Sequence, residues 1–184
     1  MKNKYKLRKK YFIIRKKKYF KIGSNFFNPL VKLVKENYKE KSINISSYYP
    51  SSFEVNTLKL FEIKIIKDLK VLLPVLSEKN IMHFYKWKQL DALQINKFGM
   101  LEPVALSTHI IPDIMLVPLL AYDNQHNRLG YGGGFYDRYL NRYLKTKKHI
   151  ITIGVAFSFQ RHHKIPVSKN DVKLNYILTE KGIF

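Results

Sequence analysis

A chain of 184 residues, 46% hydrophobic and 26% charged, has the composition of a globular protein and excludes a disordered tail or a coiled coil. Cysteine is absent, which removes disulfide frameworks, thiolate metal sites and cysteine nucleophiles and fits a reducing, cytoplasmic setting. The net charge of +21 favours polyanionic partners such as nucleic acid, anionic lipid, nucleotides or polyglutamylated small molecules.

That charge is unevenly spread. Eleven of the 34 basic residues lie between Lys2 and Lys21, and no acidic residue precedes Glu36. Lys, Asn, Ile, Tyr and Phe recur along the whole chain, so compositional drift suits the excess better than a dedicated nucleic-acid surface does. No helix-turn-helix, aromatic RNA-binding run or zinc finger accompanies it. No stretch of about 18 apolar residues predicts a membrane span, and the start lacks the features of a secretory signal.

In chain order, residues 4–21 read as a basic helix with Leu7, Tyr11 and Ile14 at helical spacing and its other face solvated. Gly23, Asn25, Asn28 and Pro29 interrupt it, and a short helix follows over Leu30–Tyr38. Ile43–Tyr49 alternates and stops at Pro50, as a strand does. Ser51-x-x-Glu54 has the form of a capping box opening a helix through Val55, Leu58, Phe61, Ile65 and Leu69. Val71–Leu76 predicts a buried strand and Ile81–Trp87 another. Met82, Phe84, Tyr85 and Trp87 suit either core packing or the wall of a ring-binding pocket. Asp91–Ser107 is a turn-rich connection. Ile114–Ala121 and Ile150–Phe157 are apolar enough to be central strands; Phe135–Leu144 is a helix and Tyr176–Leu178 a short strand. Apolar strands alternating with helices predict one α/β domain over residues 1–184: a three-layer, Rossmann-like sandwich with a mainly parallel central sheet flanked by helices. No internal repeat or domain linker is visible.

Four of the chain's 8 glycines fall in Gly130-Tyr131-Gly132-Gly133-Gly134, between a predicted strand and the helix starting near Phe135. Successive N–H groups without Cβ obstruction form an anion-binding nest, and the helix N-terminus adds its unpaired donors. Gly133 is expected to need φ > 0. Arg128, Arg138 and Arg142 add positive charge. The loop matches neither G-x-x-x-x-G-K-[ST] nor G-x-G-x-x-G. A flexible linker is the structural alternative. Asp137 either complements the helix dipole or, beside a phosphate, shares a cation with it; Asp171 is either a turn aspartate or a second carboxylate for Mg2+.

The run Asn127-Arg128-Leu129-Gly130-Tyr131-Gly132-Gly133-Gly134-Phe135-Tyr136-Asp137-Arg138-Tyr139-Leu140 resembles the signature of the 5-formyltetrahydrofolate cyclo-ligase (methenyltetrahydrofolate synthetase) family. Supporting pieces stand in family order: Lys4 to Arg8, Glu54-Val55-Asn56-Thr57, Phe98 to Pro103, Gly154 to Phe157 with Gln160, and Asn170-Asp171-Val172. The resemblance implies an ATP- and Mg2+-dependent closure of 5-formyltetrahydrofolate into 5,10-methenyltetrahydrofolate, with ADP and phosphate released. It implies ATP contacts from Lys4, Tyr5, Lys6, Leu7 and Arg8 and from Arg128, Leu129, Gly130, Tyr131, Gly132, Gly133, Gly134, Phe135 and Tyr136. Arg128, Gly132, Gly133 and Gly134 would position the reactants, with no protein nucleophile. Folate contacts would come from Tyr49, Glu54 and the Tyr131–Phe135 stretch, and Asp137 and Asp171 would hold Mg2+. A carboxylate suits a pterin, whose paired N–H donors it accepts bidentately; the capping box is the plain structural reading of Glu54. Two positions depart from the family pattern: Asn175 stands where an aspartate is frequent, and Tyr131 where Met or Arg is common. The resemblance implies a monomer with a small-molecule folate substrate, no specific nucleic acid and no membrane partner. A basic nucleic-acid-binding protein and a decayed nucleotide-binding domain are the competing readings.

Overall fold

The computed structural model of the chain describes residues 2–38, 42–63, 69–77, 81–104, 108–144, 146 and 149–184. In chain order the helices are α1 (Lys2–Lys18), α2 (Asn28–Asn37) and α3 (Phe135–Leu144). The strands are β1 (Ile43–Ser46), β2 (Leu69–Leu76), β3 (Met82–Lys86), β4 (Leu93–Ile95), β5 (Leu101–Pro103), β6 (Ile114–Pro118), β7 (Ala121–Tyr122), β8 (Arg128–Leu129), β9 (Ile151–Val155), β10 (Tyr176–Thr179) and β11 (Gly182–Ile183). Short 3-10 turns occupy Ser24–Phe27, Thr57–Glu62 and Ser158–Gln160.

Seven strands form the central sheet in the order β11-β10-β9-β6-β1-β2-β3. The pairs β10/β9, β9/β6, β6/β1 and β1/β2 are parallel, while β11 and β3 close the edges antiparallel. The five parallel strands, taken in chain order, lie as 2-1-3-4-5, one of the two common doubly wound orders. The α/β sandwich expected from the sequence is the observed architecture.

Alternation along each strand divides two apolar layers. Ile45, Ile114, Leu116 and Ile153 face the layer that holds α2 and the Thr57–Glu62 turn. Met115, Val117 and Ile177 face Tyr139, Leu140 and Tyr143 of α3. Both faces of β6 are covered, which is why Ile114–Val117 is apolar without a break. A third, smaller cluster seats α1 through Tyr11, against Leu120, Leu129 and Ile165. Trp87 and Phe84 are buried, Phe84 in the core and Trp87 edge-on to Phe61, so packing is their role. Among the described residues no helix is long and apolar enough to cross a membrane.

Three expectations need correction. Pro29 sits in the first turn of α2 instead of ending the preceding segment, because a first-turn residue has no helical N–H bond to lose. The helix expected from Ser51 through Leu69 is not formed. Ser52 and Phe53 turn back with φ of 47° and 66°, only Thr57–Glu62 coils, and Leu69 already belongs to β2; Ile65 lies outside the described residues. The connection Asp91–Ser107 contains the β4/β5 hairpin, closed by Gly99 at φ +75°.

Candidate functional site

Strand β1 runs out into Tyr48 and Tyr49, and β6 into Leu119 and the β7/β8 hairpin. The two strands are parallel neighbours, and the order in which strands join the sheet reverses between them, so their carboxyl ends flank a crevice. The hairpin aims the glycine loop at that crevice. Its turn is organised by the buried Asp123 carboxylate, which accepts from the N–H groups of Gln125 (2.9 Å), Asn127 (3.0 Å) and Ile165 (2.9 Å) and from the Asn127 side-chain amide. Gln160 adds a brace, donating to the carbonyls of Leu119 and Leu120 at 3.0 Å each.

The crevice is a cleft of ≈ 610 Å3, a volume suited to a cofactor-sized molecule (pockets of this kind span roughly 300–1,000 Å3). The whole loop from Arg128 to Asp137 lines it, together with Lys4 and Arg8 of α1, Tyr49, Glu54 and Asp171. Pro74, Leu76, Met82, Leu101 and Pro118 give it an apolar wall, and Phe98 and Met100 of the β4/β5 hairpin form one rim. Lys4 and Arg8 share a helix face by their i, i+4 spacing. Tyr5 and Lys6 point to solvent and Leu7 packs with Tyr11, so the structure does not bring these three to the cleft.

Polar contacts hold the cleft's charged groups in place. Arg8 donates from Nε to the Gly130 carbonyl at 2.9 Å. Lys4 forms an ion pair with Asp171, whose carboxylate also accepts from the Ser168 N–H at 2.6 Å. Burial raises the proton affinity of Asp171, but the Lys4 and Ser168 hydrogen bonds outweigh it and hold the carboxyl below its ordinary value. Arg128, nearly inaccessible, pairs with Asp137 at 2.9 Å and donates to the Val172 carbonyl at 3.0 Å, while Asp137 accepts from the Val172 N–H at 3.0 Å. Among the described residues no cluster of three or more His, Asp or Glu side chains forms a metal site. Asp137 and Asp171 are two hard oxygen donors on one cleft.

Within the loop, left-handed backbone falls on Gly132 (φ +110°) and Gly134 (φ +67°), not on Gly133. A Cβ on Gly132 would lie 3.3 Å from the Arg8 guanidinium carbon, so this glycine also admits α1 to the loop.

Glu54 does not cap a helix. Its carboxylate is buried (9% exposed) and accepts from the Ser51 N–H at 2.9 Å, so one half of the capping box survives as a turn. The other carboxylate oxygen accepts from the Tyr131 hydroxyl. Burial pushes the Glu54 carboxyl above its usual range; the Tyr131 and Ser51 hydrogen bonds and the Arg15 charge offset part of that rise. Arg15 is the residue that sequence reasoning missed. Grouped with the solvated lysines of α1, it is 1% exposed and lies beneath the cleft floor. Its i+4 spacing from Tyr11 was the available signal. Asn175, for its part, has a structural role: its side-chain oxygen accepts from Thr152 N and Oγ1 at 2.8 and 2.9 Å, tying the segment ahead of β10 to β9.

Fold and cleft define a doubly wound α/β protein with a glycine loop facing cationic side chains at the strand switch point. The model of the 5-formyltetrahydrofolate cyclo-ligase family matches residues 14–180, and the chain belongs to that family. The 5-formyltetrahydrofolate cyclo-ligase of Haemophilus influenzae is 34% identical over 141 residues, spanning 73% of this chain and 74% of that one. The cyclo-ligase of Escherichia coli K12 is 31% identical over 138 residues, spanning 71% and 74%. The solved structure of Aquifex aeolicus 5,10-methenyltetrahydrofolate synthetase superposes with a TM-score of 0.72 at 28% identity, over 98% of this chain and 91% of that chain. Family membership places the chain among ligases of folate one-carbon metabolism, and use of ATP is consistent with it.

Proposed function

We propose that the chain is an ATP-dependent ligase that closes 5-formyltetrahydrofolate to 5,10-methenyltetrahydrofolate, acting as a single-domain monomer in the cytoplasm. The observation that carries this reading is that one cleft gathers the glycine loop, Lys4, Arg8, Glu54 and two carboxylates.

A formamide oxygen is a poor leaving group. Transfer of the ATP γ-phosphoryl to it lets the folate N10 attack the formyl carbon; phosphate departs with that oxygen, and ADP remains. Substrate atoms make and break every bond, so the chain's task is positioning and charge neutralisation. Lys4, Arg8 and the N–H groups around Gly132–Gly134 would receive the phosphates, with the start of α3 behind them. Glu54 would accept the pterin N–H pair, Tyr49 and Phe135 would flank the ligand, and the apolar wall would keep water from the activated carbon. Asp137 and Asp171 suit Mg2+, which favours one or two carboxylates together with phosphate oxygens and would neutralise phosphoryl charge when bound. Both carboxylates now pair with Arg128 and Lys4, and these cations have phosphate as an alternative partner.

The test is methenyl absorbance during incubation with 5-formyltetrahydrofolate, Mg2+ and ATP. The signal should grow only when all three are present; folded protein that gives no ATP-dependent signal refutes the reading. Asp137→Asn should weaken Mg2+-ATP far more than folate. Equal losses for the two ligands would remove Asp137 from the metal role.

A further inference from the structure

Arg15 is a fully buried cation on a helix whose other described basic side chains, from Lys4 to Lys18, reach solvent or the cleft. It donates from one terminal nitrogen to the Leu119 carbonyl (3.3 Å) and the Tyr131 hydroxyl (2.5 Å), and from the other to the Ser52 carbonyl (2.9 Å). Its guanidinium also lies 5.4 Å from the Tyr131 ring centroid. Three segments that meet nowhere else in sequence are thereby joined: the exit of β6, the turn carrying Glu54, and the glycine loop.

Packing does not explain this side chain. Nε is buried with no partner among the described residues, and an unfilled buried donor carries its full desolvation cost. An aliphatic residue would fill the space without that penalty. The turn it holds is itself strained, with Ser52 and Phe53 at positive φ, a conformation that non-glycine residues keep only when their surroundings impose it.

Hydrogen-bond direction supplies the function. Arginine has donors only, so its bond to Tyr131 occupies a lone pair of the phenol oxygen. The hydroxyl proton is then free for one use, and it is donated to Glu54. We infer that Arg15 and Tyr131 are positioning residues that together set the aim of the Glu54 carboxylate into the cleft. Tyr131, at 45% exposure, also forms part of the rim, yet its hydroxyl is turned inward to this task. The departure from the Met or Arg common at this position thus has a consequence: neither of those side chains can accept from Arg15 and donate to Glu54 at a single atom.

The ligand's identity rests on the proposed function; the hold on Glu54 does not. The groups that face Glu54 are Tyr48, Tyr131 and Tyr136, the Ser51 N–H and the Arg15 charge. The first measurement therefore needs no ligand: the Glu54 carboxyl carbon is titrated by NMR in the full-length protein, Tyr131→Phe and Arg15→Met. Loss of the hydroxyl or of the cation should move the midpoint upward, and Tyr131→Phe, which deletes one oxygen, serves if Arg15→Met does not fold. A midpoint unchanged in Tyr131→Phe overturns the inference.

The second measurement uses 5-formyltetrahydrofolate and ATP. Tyr131→Phe should raise the folate KM about tenfold, the size expected when a charge-assisted bond of roughly 1.5 kcal/mol is lost, and change the ATP KM by much less. Added to Glu54→Gln, the same substitution should give no further loss. Losses that multiply would mean that Tyr131 touches folate directly, and the positioning role would fall. Absence of folate binding in the wild type would overturn the proposed function alone, with the NMR midpoint still deciding the role of the pair.

Discussion

In its proposed role, Glu54 would serve recognition at the expense of stability. Burial raises its folded-state proton affinity above that of the unfolded chain, despite help from Tyr131, Ser51 and Arg15. For a group shifted upward, the stability it contributes is fully present below the unfolded pKa and is lost as pH rises through the folded value. Ionised Glu54 is therefore a burden at neutral pH. Glu54→Gln should leave the thermal midpoint at pH 7 unchanged or higher and flatten its fall between the two pKa values. Folate affinity should drop roughly 10- to 100-fold, since a hydrogen bond to a charged group is worth about 1.5–3 kcal/mol. A fall in stability with intact folate affinity would return Glu54 to a purely structural role. Glu54 was legible in the sequence as a candidate, but its partner Arg15 was not. In a run of lysines and arginines a buried guanidinium carries no compositional mark; beyond its i+4 spacing from Tyr11, its contacts with Leu119 and Ser52 distinguish it.

At the scale of elements, legibility followed burial. Strands covered on both faces announce themselves as apolar runs, β6 without a break and β9 interrupted by Thr152, and α3 was bounded by its glycines and its periodicity. The segment after Pro50 misled because Val55, Leu58 and Phe61 recur at helical spacing in a stretch that coils for only six residues. Its conformation is imposed by tertiary contacts from Arg15 and Tyr131, which no local pattern encodes. The glycine loop was recognised, but the left-handed backbone was assigned to Gly133 when it falls on Gly132 and Gly134, because φ depends on how the loop closes against Arg8. Gly132→Ala forces a left-handed alanine 3.3 Å from the Arg8 guanidinium carbon, whereas the corresponding Cβ on Gly130 meets open space at an ordinary φ. Gly132→Ala should thus reduce ATP stabilisation in thermal melts, and Gly130→Ala should leave the apo midpoint unchanged. Equal behaviour of the two would mean that the loop's backbone is not the phosphate receptor. The hairpin beneath the loop has an acid limit of its own. Burial raises the proton affinity of Asp123, but bonds from Asn127, Ile165 and Gln125 prevail and hold its carboxyl low. Its contribution is present above the unfolded pKa and disappears as pH falls through the folded value. Asp123→Asn should lower the thermal midpoint at pH 7 and leave a smaller acid dependence than the wild type shows.

For the whole molecule, 34 basic residues against 13 acidic ones set two effects of salt in opposition. Like charges on one folded body repel, and screening relieves that repulsion because the Debye length shrinks from about 10 Å at 0.1 M to about 3 Å at 1 M. Raising NaCl should therefore lift the thermal midpoint of the apo protein. The same field draws an anionic ligand toward the cleft at Lys4, Arg8 and Arg128, and salt weakens that attraction, so the ATP KM should rise over the same range. The two readouts separate uses of the charge. If the excess is spread by compositional drift, stability responds strongly and the ATP KM hardly at all. If α1 concentrates it for the cleft, removing outward charges with Lys16→Gln and Lys17→Gln should leave the ATP KM and its salt dependence near wild type, whereas Arg8→Gln should raise the KM and flatten that dependence. Because Lys16 and Lys17 are exposed while Arg8 is held against Gly130, the comparison sets general field against local contact on a single helix. An ATP KM indifferent to Arg8→Gln would remove α1 from the nucleotide site and leave it as a helix that seats Tyr11 and Arg15.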